Sequence, residues 1–286
     1  MSDLLDFELH KTPGESYPAT PSPRRPVGLW IVVAALIAAA GAAAYIALTW
    51  WPRPAPAQGA PSARTSTATT PPPSLGGTPE SITVPPLDAS DTLVRTLVQA
   101  LSESPAVMAW LPTNGLIRNF TVVVANIADG ATPAAHLKVL RPRSAFRIVE
   151  RDGSPYVDPR SYDRYTVIAD AVASVDPAGA ARLYATLKPR IEEANRDLGS
   201  AGQSFDRTLE RAIVTLLETP IVDGQVRLKV NLKGIGYAYA DERLESLTAA
   251  QKQLLRMGPR NVRIIEARLR EIALALGIPR TQLPAR

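Results

Sequence analysis

The chain is 286 residues long, with 45% hydrophobic residues, no cysteine and two histidines, His10 and His136. This composition excludes disulfide scaffolds, thiol nucleophiles, zinc fingers, iron–sulfur clusters and His-rich metal sites, so neither a metal nor a cofactor is expected. Lys and Arg exceed Asp and Glu by 32 to 27, a net charge of +5 that is too thinly spread for a nucleic-acid footprint.

Residues 1–26 are polar and proline-bearing, and read as a disordered cytoplasmic tail. Val27 to Trp51 follows without a single charge. About 20 apolar residues suffice to cross the hydrocarbon of a bilayer, so 27–51 is expected to be one transmembrane helix. Trp30 at one end and Trp50 and Trp51 at the other suit the two interfaces, and Arg24 and Arg25 favour an N-terminus in the cytoplasm. The run starts too late and is too long for the apolar core of a cleaved signal peptide, which marks it as an uncleaved signal anchor. Residues 52–86 hold ten prolines among Ala, Ser, Thr and Gly, the composition of an extended tether that reaches between roughly 30 and 100 Å.

The globular part, 87–286, is punctuated like a helical domain. Ser90-Asp91 opens a run lined by Leu93, Val94, Leu97, Val98 and Leu101. Ser104-Pro105 starts a short helix through Leu111. Asn114 precedes Leu116, Ile117, Phe120, Val124 and Ile127, spaced for a helix that ends at Asp129-Gly130. Alternation around Asp152-Gly153 predicts a hairpin over 146–157. Asp158-Pro159 and Asp176-Pro177 each pair a cap with a proline, predicting helices over 159–174 and 177–198. Ser204 caps the next, with Phe205, Leu209, Ile213 and Leu217 inward; a short strand is expected at 226–230. Thr248 with Gln251 forms a capping box, and Gly258-Pro259 ends one helix and starts the last. The fold class is therefore mainly α: a multi-helix domain with a small β-hairpin, preceded by one transmembrane helix and a Pro-rich linker.

Several residue groups together resemble a bacterial family of membrane-tethered proteins, domain-of-unknown-function family 3014. They are Leu116-Ile117-Arg118-Asn119-Phe120, Tyr156-Val157-Asp158-Pro159 with Tyr162, Arg164 and Tyr165, Leu183-Tyr184, Phe205-Asp206-Arg207, Glu218-Thr219-Pro220, Ala240-Asp241 and Leu244-Glu245. The most specific stretch is Gln251-Lys252-Gln253-Leu254-Leu255-Arg256-Met257-Gly258-Pro259. The resemblance runs from Leu87 to the terminal helix and implies an anchor, a linker and an envelope domain, but no reaction. Where the family carries an aromatic stretch, this chain reads Ala194-Asn195-Arg196-Asp197-Leu198-Gly199.

Paired carboxylates are the one plausible catalytic machinery, and a glycosidase would need two flanking one bond. Asp88 with Asp91, Asp158 with Asp163, and Glu192 with Glu193 are the candidates, yet each has a simpler role at a helix end or on a solvated face. No catalytic residue is therefore assigned. His136 sits in a loop beside Lys138, Arg141 and Arg143, as a solvated side chain would. Gly234-Ile235-Gly236 lacks the helix and lysine of a phosphate cradle. Tyr162, Arg164, Tyr165 and Tyr184 join the residue types enriched at binding hot spots, but half-buried core tyrosines have the same appearance. Gln251, Lys252 and Arg256 form a second candidate patch, with Arg256 also placed to cap a helix end.

These readings lead to a single-span inner-membrane protein with a periplasmic, noncatalytic module that binds an envelope protein or peptidoglycan. The alternative is a carboxylate-dependent cell-wall hydrolase. A cysteine placed in the linker of this cysteine-free chain is expected to react with an impermeant reagent in cells whose outer membrane alone is permeabilised. Protection there would put the domain in the cytoplasm.

Overall fold

The structure, a computed structural model, describes residues 74–200, 202–231 and 236–285. The expected tail at 1–26, the apolar run at 27–51 and residues 52–73 of the linker lie outside the described residues. No helix among the described residues is long and apolar enough to cross a membrane.

Helices dominate, as the punctuation predicts. α1 spans Asp91–Gln99, α2 Pro105–Trp110 and α3 Leu116–Ala128. The valine run inside α3 stays helical because its buried residues, Leu116, Ile117, Thr121 and Val124, recur on one helical face. The start of α3 is capped from a distance. Asp91, on the first turn of α1, accepts from the Gly115 and Leu116 amides at 2.8 Å each, giving two orphan helix donors a charged acceptor. Sequence order assigns Asp91 a local role at its own helix terminus; the structure gives it this distant one.

Residues 148–165 contain the first hairpin, β1 (Ile148–Arg151) and β2 (Ser154–Val157), turning at Asp152 (φ 48°) and Gly153 (φ 67°). Positive φ at both central residues is the turn geometry that matches strand twist. The single helix expected over 159–174 is replaced by two 3₁₀ turns, Pro159–Ser161 and Asp163–Tyr165, before α4 (Thr166–Ala173). Competing hydrogen bonds explain the change. The Ser161 hydroxyl accepts from the Arg147 amide at 2.8 Å and donates to the Arg147 carbonyl at 3.0 Å. The Tyr162 carbonyl accepts from the Tyr165 amide and from Asn261 Nδ2, both at 3.0 Å, instead of continuing an α-helical ladder.

α5 spans Pro177–Asp197, with Asp176 capping the Gly179 amide, and α6 spans Phe205–Leu217, capped by Ser204. A second hairpin pairs β3 (Leu228–Val230) with β4 (Tyr237–Tyr239), the latter unforeseen from sequence. The hairpins meet where the Val157 amide donates to the Val226 carbonyl at 3.0 Å. α7 (Glu242–Glu245) was also unforeseen; α8 spans Ala249–Leu255 and α9 Pro259–Ala275. The Thr248–Gln251 capping box at α8 is formed in both directions.

The main core gathers α1, α3, α5, α6 and α9 around Phe205, which is wholly buried and lies 5.9 Å from the Phe120 ring and 6.5 Å from that of Tyr184. Between these helices remains a hollow of about 440 Å³ with almost wholly apolar walls. A second core lies under the hairpins, where Val157, Val226, Leu228, Tyr239, Leu244 and Leu255 pack together. A third joins α4, α8 and α9 through Ala169, Leu254, Val262 and Ile265.

Residues 74–86, read from composition as the end of the tether, lie against these helices. The Gly76 amide donates to the Leu276 carbonyl at 2.9 Å, the Glu80 amide to Thr186 Oγ1 at 2.9 Å, and Arg190 Nε to the Pro85 carbonyl at 2.7 Å. Asp91→Ala is expected to cost about 2 kcal/mol in urea unfolding, the range of a lost helix cap with charged bonds. A change within the roughly 0.5 kcal/mol of ordinary surface substitutions would contradict the long-range cap.

Candidate functional site

An open cleft of about 360 Å³ lies between the hairpins, the 3₁₀ turns and the α7–α8 segment. Three sequence-selected residues, Tyr162, Arg164 and Arg256, line it together. Phe146 and Tyr237, 40% and 41% exposed, also line it and are the large apolar surfaces there open to solvent.

Arg164 is held from two sides. Its guanidinium sits over the Phe146 ring at 5.5 Å and over the Tyr165 ring at 4.9 Å, the geometry of cation–π contacts. Nη2 donates to the Tyr165 hydroxyl at 3.1 Å and Nη1 to the Ser144 carbonyl at 3.2 Å. Nε is buried, with no acceptor among the described residues. Tyr165 itself is 4% exposed and supports Arg164 from below rather than lining the cleft.

Tyr162 rests on the α8–α9 corner. A Cβ on Gly258 would lie 2.3 Å from Tyr162 Cγ, so the ring occupies space that only glycine leaves free. Gly258 also has φ 84° and ψ 161°, a region that L side chains avoid. Asn261 completes the corner, donating through Nδ2 to the Tyr162 carbonyl at 3.0 Å and to the Met257 carbonyl at 2.9 Å. Burial holds the Tyr162 phenol above its ordinary pKa.

Opposite lie Tyr239, Glu245 and Arg256. Burial pushes the Tyr239 phenol up to about 12; Arg256, which hydrogen-bonds it, pulls the other way, and Tyr162 and Glu245 add to the rise. Both phenols are therefore neutral at physiological pH. Glu245 accepts from the Tyr239 amide and from Lys252 Nζ, each at 2.9 Å. Those two contacts hold its carboxyl below the usual glutamate range. The carboxylate of the cleft is thus ionised and matched by Lys252, leaving Arg164 and Arg256 as cations not paired with it.

The other sequence-selected residues lie elsewhere. Lys252 acts one step behind the cleft, through Glu245. Gln251 is buried, serves the capping box and donates to the Thr215 carbonyl at 3.2 Å. Tyr184 belongs to the main core, where its hydroxyl donates to Asp206 at 2.6 Å, and Lys188 lies over its ring. The two expected patches therefore merge only in part: Tyr162, Arg164 and Arg256 come together, and Tyr184 does not join them. Sequence reading missed Tyr239, Tyr237 and Glu245. The Tyr237-Ala238-Tyr239 alternation after a glycine pair is the signal that could have found the strand.

The three carboxylate pairs separate. Asp88 bonds Arg118 at 2.9 Å while Asp91 caps α3. Asp158 is buried and grips Arg160, which holds its carboxyl low, whereas Asp163 is exposed. Glu192 accepts from the Phe205 amide at 2.9 Å, and Glu193 pairs with Arg190 at 2.8 Å. His136 is exposed. Among the described residues, no group of three or more His, Asp or Glu could hold a metal ion.

The fold and cleft define a mainly helical domain with two small hairpins and a cationic, aromatic-walled recess. The family model described as "Protein of unknown function (DUF3014)" matches residues 116–273, and the chain belongs to that family. The matched span begins at Leu116 rather than Leu87 and includes every residue that lines the cleft. Neither the curated proteins nor the solved structures contain a match.

Glu245 generates a prediction about acid. A carboxylate whose folded pKa is depressed stabilises the fold fully above its unfolded value, about 4.3, and loses that contribution as pH falls through the lower folded value. The stability difference between wild type and Glu245→Gln in denaturant titrations is therefore expected to shrink from pH 6 towards pH 3. A difference constant over that range would contradict the assignment.

Proposed function

We propose that the chain is a single-span inner-membrane protein whose periplasmic domain is a noncatalytic binding module. Residues 27–51 anchor it, and the cleft receives a carboxylate-bearing segment of another envelope protein. The observation that carries this reading is the cleft's chemistry: Arg164 and the exposed Arg256 line it together, flanked by the exposed side chains of Phe146 and Tyr237. Arginine forks match carboxylates in geometry as well as charge, and aromatic side chains with arginine dominate binding hot spots. The ionised state of Glu245 favours binding over hydrolysis, because a general acid in a glycosidase needs a raised pKa. The uncharged run flanked by tryptophans supports the anchor, and the arginines before it support the orientation.

The test is crosslinked capture of the full-length protein from native membranes, comparing wild type with Arg256→Glu. One dominant partner, recovered at least about tenfold less with the folded variant, is the expected result. Equal recovery would remove the cleft from the binding surface. Release of soluble fragments from purified cell-wall sacculi by the wild-type protein would overturn the noncatalytic reading.

A further inference from the structure

The hollow between the helices shares no wall residue with the cleft. Its walls come from α1, α2, α3, α5, α6 and α9, with Val98, Phe120, Leu183, Ala212, Ile213 and Leu269 among them. Among the described residues, two hydroxyl-bearing side chains line it, and both are already bonded: Ser102 to Ser174 at 2.7 Å and Tyr184 to Asp206 at 2.6 Å. Apart from the indole N–H of Trp110, nothing in the lining calls for a polar partner, and water would find few partners there. Cores are normally packed to crystal-like density, whereas this apolar recess, open to solvent on one side, leaves about 440 Å³ unfilled between the helices. It lies within the size range of pockets that hold small molecules.

We infer that this hollow is a binding site for one long acyl chain. Apolar cavities of roughly 150 Å³ admit benzene, six carbons; by the same ratio the hollow accommodates about 16 to 18 carbons. That is one fatty acyl chain, and its hydrocarbon needs what the lining offers, dispersion contacts without hydrogen bonds. Trp110 supplies the reason for an oxygen at one end. It forms part of the wall, and its indole N–H is buried with no acceptor among the described residues. A carboxyl or ester oxygen drawn up to the indole satisfies that donor, which a plain hydrocarbon would leave unmet. The chain occupies the hollow without covalent change.

The experiment uses the full-length protein in lipid nanodiscs with a 16-carbon fatty acid carrying a mid-chain diazirine. After irradiation, peptide mass spectrometry locates the adducts. Label in α3 and α6, reduced at least fivefold by unlabelled hexadecanoic acid, is the expected result. Ala212→Leu, which adds side-chain volume to the hollow, is expected to reduce the label similarly while the helical circular dichroism is retained. Trp110→Phe is expected to weaken hexadecanoic acid as a competitor severalfold. A parallel arm with a photoreactive diacyl phospholipid in the disc separates a lipid's own chain from a free fatty acid. Label confined to 27–51, or label in α3 and α6 that unlabelled acid does not displace, would overturn the proposal; the competition needs no variant to fold. Competition unchanged by Trp110→Phe would overturn the acyl oxygen's place at the indole.

Discussion

Gly258 and Tyr162 meet at the point where the helices and the hairpins join. Any side chain at 258 would intrude within 2.7 Å of three Tyr162 atoms, and the φ of 84° there already demands glycine. The contact lets Tyr162 pack directly against the α8–α9 corner while Asn261 donates to its carbonyl. Tyr162 simultaneously packs into the core beneath the hairpins, alongside Leu228 and Tyr239. One residue without a side chain thus brings α8, α9 and the hairpins into register.

The cleft follows from that register. Its floor is apolar, and its polar groups come from segments far apart in the chain: Arg164 from the 3₁₀ turns, Glu245 from α7, Arg256 from the end of α8. The electrostatics are asymmetric. Glu245 is neutralised locally by Lys252 and the Tyr239 amide, so the surplus charge of the recess is positive. Its two arginines are steadied from the protein side, Arg164 by stacking on Tyr165 and Arg256 by its hydrogen bond to the Tyr239 phenol.

Much of the helical framework was legible because its signals are local. Asp176-Pro177, the Thr248–Gln251 box and Gly258-Pro259 each act through neighbouring backbone groups, and each appears where the sequence put it. The misreadings arise where distant partners decide. The helix expected from Asp158-Pro159 gives way to 3₁₀ turns because Ser161 and Tyr162 bond to Arg147 and Asn261, about 14 and 99 residues away. Residues 74–86 have the composition of a tether, yet bond to carbonyls and side chains of α5 and α9 that composition does not reveal. For the candidate site, residue type singled out Tyr162, Arg164 and Arg256, but not Tyr239, whose three-residue strand carries only a short alternation before it pairs with β3. Tyr184 has the same chemistry as Tyr162; burial against Phe205 and a bond to Asp206 place it in the core instead.

The Gly258–Tyr162 contact holds the hairpins, and with them the cleft, onto the helices. Hydrogen exchange of the full-length protein, read by peptide mass spectrometry for wild type and Gly258→Ala, tests it most directly. In the variant, faster exchange is expected in 148–157 and 228–239 and along the α8–α9 corner, with α5 and α6 keeping their protection. Exchange that is unchanged at the hairpins, or that rises equally in α5 and α6, would contradict it.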